Sequence, residues 1–357
     1  MVKSAYIHIP FCLSKCNYCS FISFTDTSKK FGYLFSLLKE IDYYYSGEPL
    51  DTLYLGGGTP SLFSIDELKK ILNKFNLPNT ETTIEVNPDS VDREYLKDLI
   101  DVGFNRLSIG VQSFDDNILK TIGRRHSANQ AIETVKTAQD VGFENISIDL
   151  IYGLPNQTIQ DFERDLEIVN NLNIQHVSLY GLKIDEGCYF YSNYPNNLPD
   201  DDMQADMYEL AISKLTNHKH YEVSNWGKES KHNLNYWKCG EYYGFGLAAH
   251  GYIEGVRYSN VKTLEEYLAN PTAREFGEFL TKERLLEEKI FLGLRIADGI
   301  NINEINEEFE IDFESKYKNI IEKYISTNHL IKTDIGYKFS DSGFLVSNII
   351  LADFVGT

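Results

Sequence analysis

Up to about residue 182 the chain alternates short runs of β-branched and aliphatic residues with longer amphipathic stretches. The runs cover 5–9, 52–55, 82–86, 106–111, 146–151 and 176–182, and each has the length and composition of a strand. Between them the spacing of apolar positions predicts helices over 66–75, 129–141 and 161–172. Each follows a residue able to cap it: Ser64, with Glu67 three positions on completing a capping-box signature, then Ser127, then Thr158. Strand and helix alternating six times predicts parallel strands joined by right-handed crossovers. Six units are too few to close an eight-stranded barrel. The pattern therefore predicts an α/β fold built on a partial (β/α)6 barrel, with its functional groups at the C-terminal ends of the strands.

After residue 182 the alternation stops. A Tyr-, Asn- and Pro-rich stretch, YFYSNYPNNLPDDD, leads to a helix near 203–215 and then to an aromatic, Gly-rich passage ending in YYGFGLAAHGY. From Lys282 onward helices precede GYKFSDSGFLVSNIIL, whose helix, turn and short strand resemble a small winged-helix-like module. Three parts are expected: a barrel core over 1–182, an extension over 183–280 and a C-terminal module over 281–357, the last two forming an α+β appendage.

Charge and hydropathy narrow the partners. A formal net charge of −19 disfavours a nucleic-acid partner, because binding to a phosphate backbone is driven by Lys and Arg displacing counterions. No stretch approaches the roughly 18 consecutive apolar residues of a membrane-spanning helix, and the N-terminus lacks the basic-then-apolar pattern of a secretory signal, so a cytoplasmic protein is expected.

Cys12, Cys16 and Cys19 crowd into the loop FCLSKCNYCSF directly after the first strand. A total of five cysteines with this crowding makes no disulfide framework, and in a reducing compartment such a cluster binds metal or does chemistry. Three thiolates can ligate three irons of a cubane 4Fe-4S cluster and leave the fourth open. Zinc is the alternative, with His8 as the nearest fourth ligand, although zinc sites favour paired two-residue spacers. Cys188 and Cys239 stand alone and read as small buried hydrophobes.

Further groups of interest close the later strands. The segment YLGGGTP ends the second strand with Gly56, Gly57 and Gly58, the residue type that lets backbone approach a ligand closely. Glu85 in EVNP closes the third strand, Gln112 in RLSIGVQSF the fourth, and Asp149 in DLIYGLPNQ lies on the fifth. A carboxylate in a barrel mouth can accept from ribose hydroxyls, while Gln112 and Arg124 could hydrogen-bond adenosine or a substrate carboxylate.

The CxxxCxxC loop after a first strand, followed one βα unit later by GGGTP, resembles the radical SAM superfamily, and the whole chain resembles its coproporphyrinogen-oxidase-like branch. The resemblance implies that S-adenosylmethionine (SAM) chelates the open iron, that a reductant feeds the cluster, and that an electron passed to the sulfonium breaks a carbon–sulfur bond. It also implies that Tyr6, Tyr18, Gly57, Gly58, Thr59, Glu85, Gln112, Arg124 and Asp149 line the SAM region. Within the branch, the oxygen-independent coproporphyrinogen III oxidase HemN carries a longer N-terminal extension and a fourth cysteine two residues after the third, where this chain has Phe21. The heme chaperone HemW family instead carries HNxxYW, which His232-Asn233-Leu234-Asn235-Tyr236-Trp237 matches in full. Resemblance to that family implies a heme carrier that serves apo-haemoproteins, membrane-bound cytochromes among them, from the cytoplasm or the inner face of the membrane. It further implies His232 as the main heme ligand or anchor, beside flat apolar surface from Tyr236 and Trp237. The decarboxylating oxidase, and a radical SAM enzyme acting on another small molecule, are the alternative readings.

Overall fold

A computed structural model describes residues 2–355. Strands β1 (Ser4–Ile9), β2 (Thr52–Gly57), β3 (Glu81–Val86), β4 (Arg106–Gln112), β5 (Ile146–Tyr152) and β6 (His176–Gly181) lie side by side in chain order, all parallel. These are the six runs read from the sequence. The helix starts follow the capping residues. Ser64 and Glu67 exchange side-chain-to-backbone hydrogen bonds ahead of Ile65–Leu72, Thr158 and Asp161 do the same ahead of Ile159–Asn171, and Ser127 caps Ala128–Val141.

Alternation along the strands decides what each face does. On β4, Leu107, Ile109 and Val111 are fully buried, whereas Arg106, Ser108, Gly110 and Gln112 line a cavity. On β5 and β6, Ile148, Leu150, Val177 and Leu179 belong to the hydrophobic core while Asp149, Ile151, Ser178 and Tyr180 line the same cavity. A side-chain period of two on a curved sheet thus puts the apolar core in the shell between strands and helices and leaves a polar interior.

The sheet continues past the sixth strand. A hairpin of β7 (His220–Glu222) and β8 (Asn225–Gly227) pairs antiparallel with β6, and β9 (Tyr243–Phe245), from the aromatic Gly-rich passage, pairs parallel with β1. The nine strands remain open between these two edges. β10 (His250–Ile253), β11 (Val256–Asn260) and β12 (Arg274–Phe279) form a separate antiparallel sheet. A buried carboxylate fastens this region to the helix Lys30–Tyr44: Glu40 accepts from Asn260 Nδ2 at 2.6 Å, Tyr267 OH at 2.6 Å and the Gly246 amide at 2.8 Å. Burial pushes its pKa up to about 7.

The C-terminal appendage pairs β13 (Ile300–Asn301), β14 (Leu330–Lys332) and β15 (Gly336–Phe339) in the order β13-β15-β14, with helices Ile302–Phe309 and Lys318–Ser326 beside them. One detail differs from the sequence reading. Within GYKFSDSGFLVSNIIL the strand comes first and two helices follow, because Ser340 accepts from the Gly343 amide and caps Asp341–Leu345. Among the described residues no helix is long and apolar enough to cross a membrane.

Candidate functional site

The cysteine loop leaves β1 at Ile9 and is fastened along its length. Cys12 N donates to Phe24 O at 3.0 Å, Phe24 N to Pro10 O at 2.7 Å, and Asn17 N to Ile122 O at 2.9 Å. Cys12, Cys16 and Cys19 all line one cavity of about 460 Å³ that runs down the interior of the partial barrel. The Thr59 hydroxyl donates to Cys12 Sγ at 3.6 Å and the Arg124 guanidinium to Cys16 Sγ at 3.5 Å. Burial pushes the thiols of Cys12 and Cys19 up. Among the described residues no three His, Cys, Asp or Glu side chains gather closely enough to hold a single metal ion. A cubane takes its three thiolates on three different irons, so it needs donors around a volume rather than at a point.

His8 does not complete a zinc site. Its Nδ1 is 3.0 Å from Tyr6 OH and its Nε2 is 2.9 Å from Ile22 O, which leaves neither nitrogen for a metal. Cys188 is buried in a small apolar cluster with Ile118, Leu119, Ile122 and Phe190, as expected, whereas Cys239 is only half-buried and lines a second cavity.

The other predicted residues converge on the cysteine cavity. Tyr18, Gly57, Gly58, Thr59, Glu85, Gln112, Arg124 and Asp149 line it, and Tyr6 stands behind it, its ring 6.1 Å from that of Tyr54. Glu85 accepts from Tyr54 OH at 2.8 Å and from the Gly57 amide at 2.9 Å; burial, then Asp149, pushes its pKa up to about 7. Burial also raises Asp149, which accepts from Ser108 Oγ at 3.1 Å. Gln112, which lines the cavity, sits at a register shift between β4 and β5 with φ of 72°, a left-handed conformation. Arg124 donates to Asn87 Oδ1 at 2.7 Å and also to the Gly110 carbonyl, so its guanidinium is fixed beside Cys16.

The glycine run has a different reason from the one its composition suggests. A Cβ on Gly57, whose φ is 110°, would lie 2.4 Å from the His8 ring, and one on Gly58 would lie 2.7 Å from Phe11 O and 2.8 Å from Ile9 O. What requires glycine here is the close approach of β1 and the base of the cysteine loop. The space that a side chain would take is filled with protein.

Arg106 escaped the sequence reading. It is 2% exposed at the start of β4, lines the cavity, and its positive charge acts on both Glu85 and Asp149. Its Nε has no hydrogen-bond partner among the described residues. The signal was a charge at the head of an otherwise apolar and small strand, RLSIGV.

His232 differs most from expectation. The helix Lys231–Trp237 packs against the opposite end of the strands: Nδ1 of His232 is 2.8 Å from Thr52 Oγ1 on β2, and its amide donates to Glu81 at the start of β3. Nε2 is 2.7 Å from Tyr236 OH, and the ring stacks on Tyr54 at 5.1 Å. At 1% exposure, with its pKa pushed down to about 3 by burial, the imidazole is neutral and both nitrogens are occupied. An axial ligand needs a free ring nitrogen, and this arrangement offers none.

The radical SAM superfamily matches residues 6–169 and the HemN C-terminal domain matches 280–346. The heme chaperone HemW of Lactococcus lactis is 38% identical over 99% of this chain and 97% of its own, and that of Bacillus subtilis is 35% identical over 99% and 100%. Among solved structures, the coproporphyrinogen III oxidase HemN of Escherichia coli superposes with a TM-score of 0.87 at 22% identity, covering 99% of this chain and 90% of that one. That likeness speaks for the fold, and the near-full-length identity to the L. lactis and B. subtilis proteins speaks for the family. The chain belongs to the heme chaperone HemW family of the radical SAM superfamily.

Proposed function

We propose that this protein is a cytoplasmic heme carrier that binds heme and passes it to apo-haemoproteins, with a 4Fe-4S cluster on Cys12, Cys16 and Cys19 and SAM bound beside it. The observation that carries the reading is the match, end to end, to proteins named heme chaperone HemW. The three thiols fit the cluster, because Thr59 and Arg124 already donate to two of the sulfurs and would offset thiolate charge. The cluster, when bound, supplies an electron that can be passed to a SAM sulfonium.

The remaining roles belong to this chain's own groups. Arg124, held by Asn87 and the Gly110 carbonyl, presents positive charge beside Cys16, where a carboxylate of SAM would be met. Glu85 and Asp149 offer acceptors to ribose hydroxyls in the cavity, and Gln112 offers both a donor and an acceptor there. Tyr18 closes the wall between the loop and Arg124. Anaerobic reconstitution followed by separate incubations with heme, and with coproporphyrinogen III, SAM and a reductant, tests the reading. Heme binding without decarboxylation supports the carrier. Stoichiometric carbon dioxide release above that of a Cys16→Ala control would make it an oxidase.

A further inference from the structure

Arg106 is 2% exposed and lines the cysteine cavity, with its Nε left without a hydrogen-bond partner among the described residues. Desolvating a guanidinium is costly unless opposite charge offsets it. The strand register shows where that charge stands. Glu85 on β3 lies beside Ser108 on β4, and Asp149 on β5 lies beside Gly110, so the two carboxylates flank β4 from either side. Ser108 bridges toward one of them, its hydroxyl donating to Asp149 at 3.1 Å. Arg106 shares the cavity-lining face of β4 with Ser108 and starts two residues earlier, about 7 Å along the strand. An arginine side chain is long enough to span that rise, and its charge acts on both carboxylates.

Two carboxylates facing one desolvated cavity repel each other, and without a cation nearby one of them takes a proton. A protonated carboxyl turns an acceptor oxygen into a donor, whereas ribose hydroxyls are met best by ionised acceptors. We propose that Arg106 is a positioning residue for the SAM site, the buried countercharge that keeps Glu85 and Asp149 as paired acceptors for the ribose hydroxyls. This rests on the SAM-binding reading and deepens it. The other groups around the trio do not replace that charge. Tyr6, Tyr54 and Tyr180 face it from β1, β2 and β6 as phenols that burial pushes up and keeps neutral. His176 and His232, which feel the Arg106 charge, are pushed down by burial first and carry none of their own. Tyr221 on β7 is likewise raised by burial; Glu81 acts on Tyr221, and Glu222 on both Tyr221 and Tyr180. Arg124 also lowers Asp149, but Asn87 and the Gly110 carbonyl hold its guanidinium beside Cys16.

The pH profile of SAM affinity separates a countercharge from a packing role. SAM is titrated calorimetrically into the reconstituted full-length protein from pH 6 to 9, and each variant is compared with the parent at the same pH, so that the ligand's own titration cancels. Arg106→Met and Arg106→Gln remove the charge; Arg106→Lys keeps it. Removing a cation raises both carboxylates, so the fall in affinity on acidification begins at higher pH in the uncharged variants. Glu85 titrates near 7 in the parent. A rise of about one unit leaves it about one-tenth ionised at pH 7 instead of half, a loss of about fivefold or more that shrinks toward parental affinity by pH 9. Arg106→Lys is expected to restore the parental profile, with iron content unchanged in all three. A loss of the same factor at every pH, or parental affinity throughout, would overturn the proposal while leaving SAM binding in place. Loss of iron or of cooperative unfolding in both uncharged variants would make Arg106 a structural residue and overturn it as well. Failure of the parent to bind SAM would instead remove the SAM reading, and the role of Arg106 with it.

Discussion

Gly58→Ala adds one methyl group, and its consequence can be worked from distances. The new Cβ would stand 2.7 Å from Phe11 O, 2.8 Å from Ile9 O and 2.9 Å from Phe11 N, all backbone atoms. Carbon contacts are comfortable from about 3.5 Å, so the Phe11 carbonyl has to retreat by about 0.8 Å. That movement strains the two backbone bonds that clamp the loop to β2, Gly58 N to Ile9 O at 2.8 Å and Thr59 N to Phe11 O at 2.7 Å. Losing both costs about 2 kcal/mol, and overpacking adds about 1–3 kcal/mol, for a destabilisation of about 3–5 kcal/mol. Cys12 follows Phe11 directly, so the displacement reaches the first thiol. Guanidinium denaturation of the cluster-free protein reads the stability, and iron per chain after anaerobic reconstitution reads the site. Gly277→Ala is the control, because nothing lies within 4 Å of its added Cβ. Equal stability and equal iron in the two variants would refute the packing argument and return the glycines to a purely ligand-facing role.

Alanine at Cys12, Cys16 or Cys19 should abolish iron retention measured by iron and sulfide analysis, whereas Cys188→Ala and Cys239→Ala should keep about four irons per chain. For pH, Glu40 titrates near 7 in the folded chain against an ordinary 4.5, so the folded state keeps its proton to higher pH than the unfolded state does. Its contribution is full below 4.5 and is lost as pH rises to about 7, at up to about 1.4 kcal/mol per pH unit. Glu40→Gln should remove that slope in denaturation curves run from pH 5 to 8, with the variant gaining on the parent as pH rises; a constant gap would show that Glu40 is ordinary. Arg124→Leu should weaken SAM binding and the SAM-induced change in the reduced cluster's EPR signal, and an unchanged signal would remove Arg124 from the site.

Much of this was legible because local chemistry and global fold agree. Strands such as RLSIGVQ and HVSLYG carry their own alternation, and Ser64, Ser127 and Thr158 mark helix starts that the structure keeps. The gathering of the three cysteines with Glu85 and Gln112 was readable because strand ends in a parallel barrel share one mouth, and Asp149, in the middle of β5, faces the same interior by the alternation of its strand. Other features depend on long-range placement. β9 is three residues of YGF, too short to show a period, and only its register beside Ala5–Ile7 makes it a strand. The HNxxYW residues show a histidine near aromatics, but not that its two nitrogens are taken by Thr52, from far earlier in the chain, and Tyr236. Arg106 was missed for the same reason. A charge at a strand's head reads as surface until neighbouring strands enclose it.

The most direct test of the central claim is heme transfer. The reconstituted protein, loaded with one equivalent of hemin and freed of excess, is mixed with a heme-free recipient haemoprotein, and the Soret band is followed as the two are separated. The carrier account predicts that heme moves to the recipient and that the donor can be reloaded, with iron and sulfide of the cluster unchanged. Heme that never binds, or that stays with the donor while coproporphyrinogen III is decarboxylated in a parallel reaction with SAM and reductant, would contradict it.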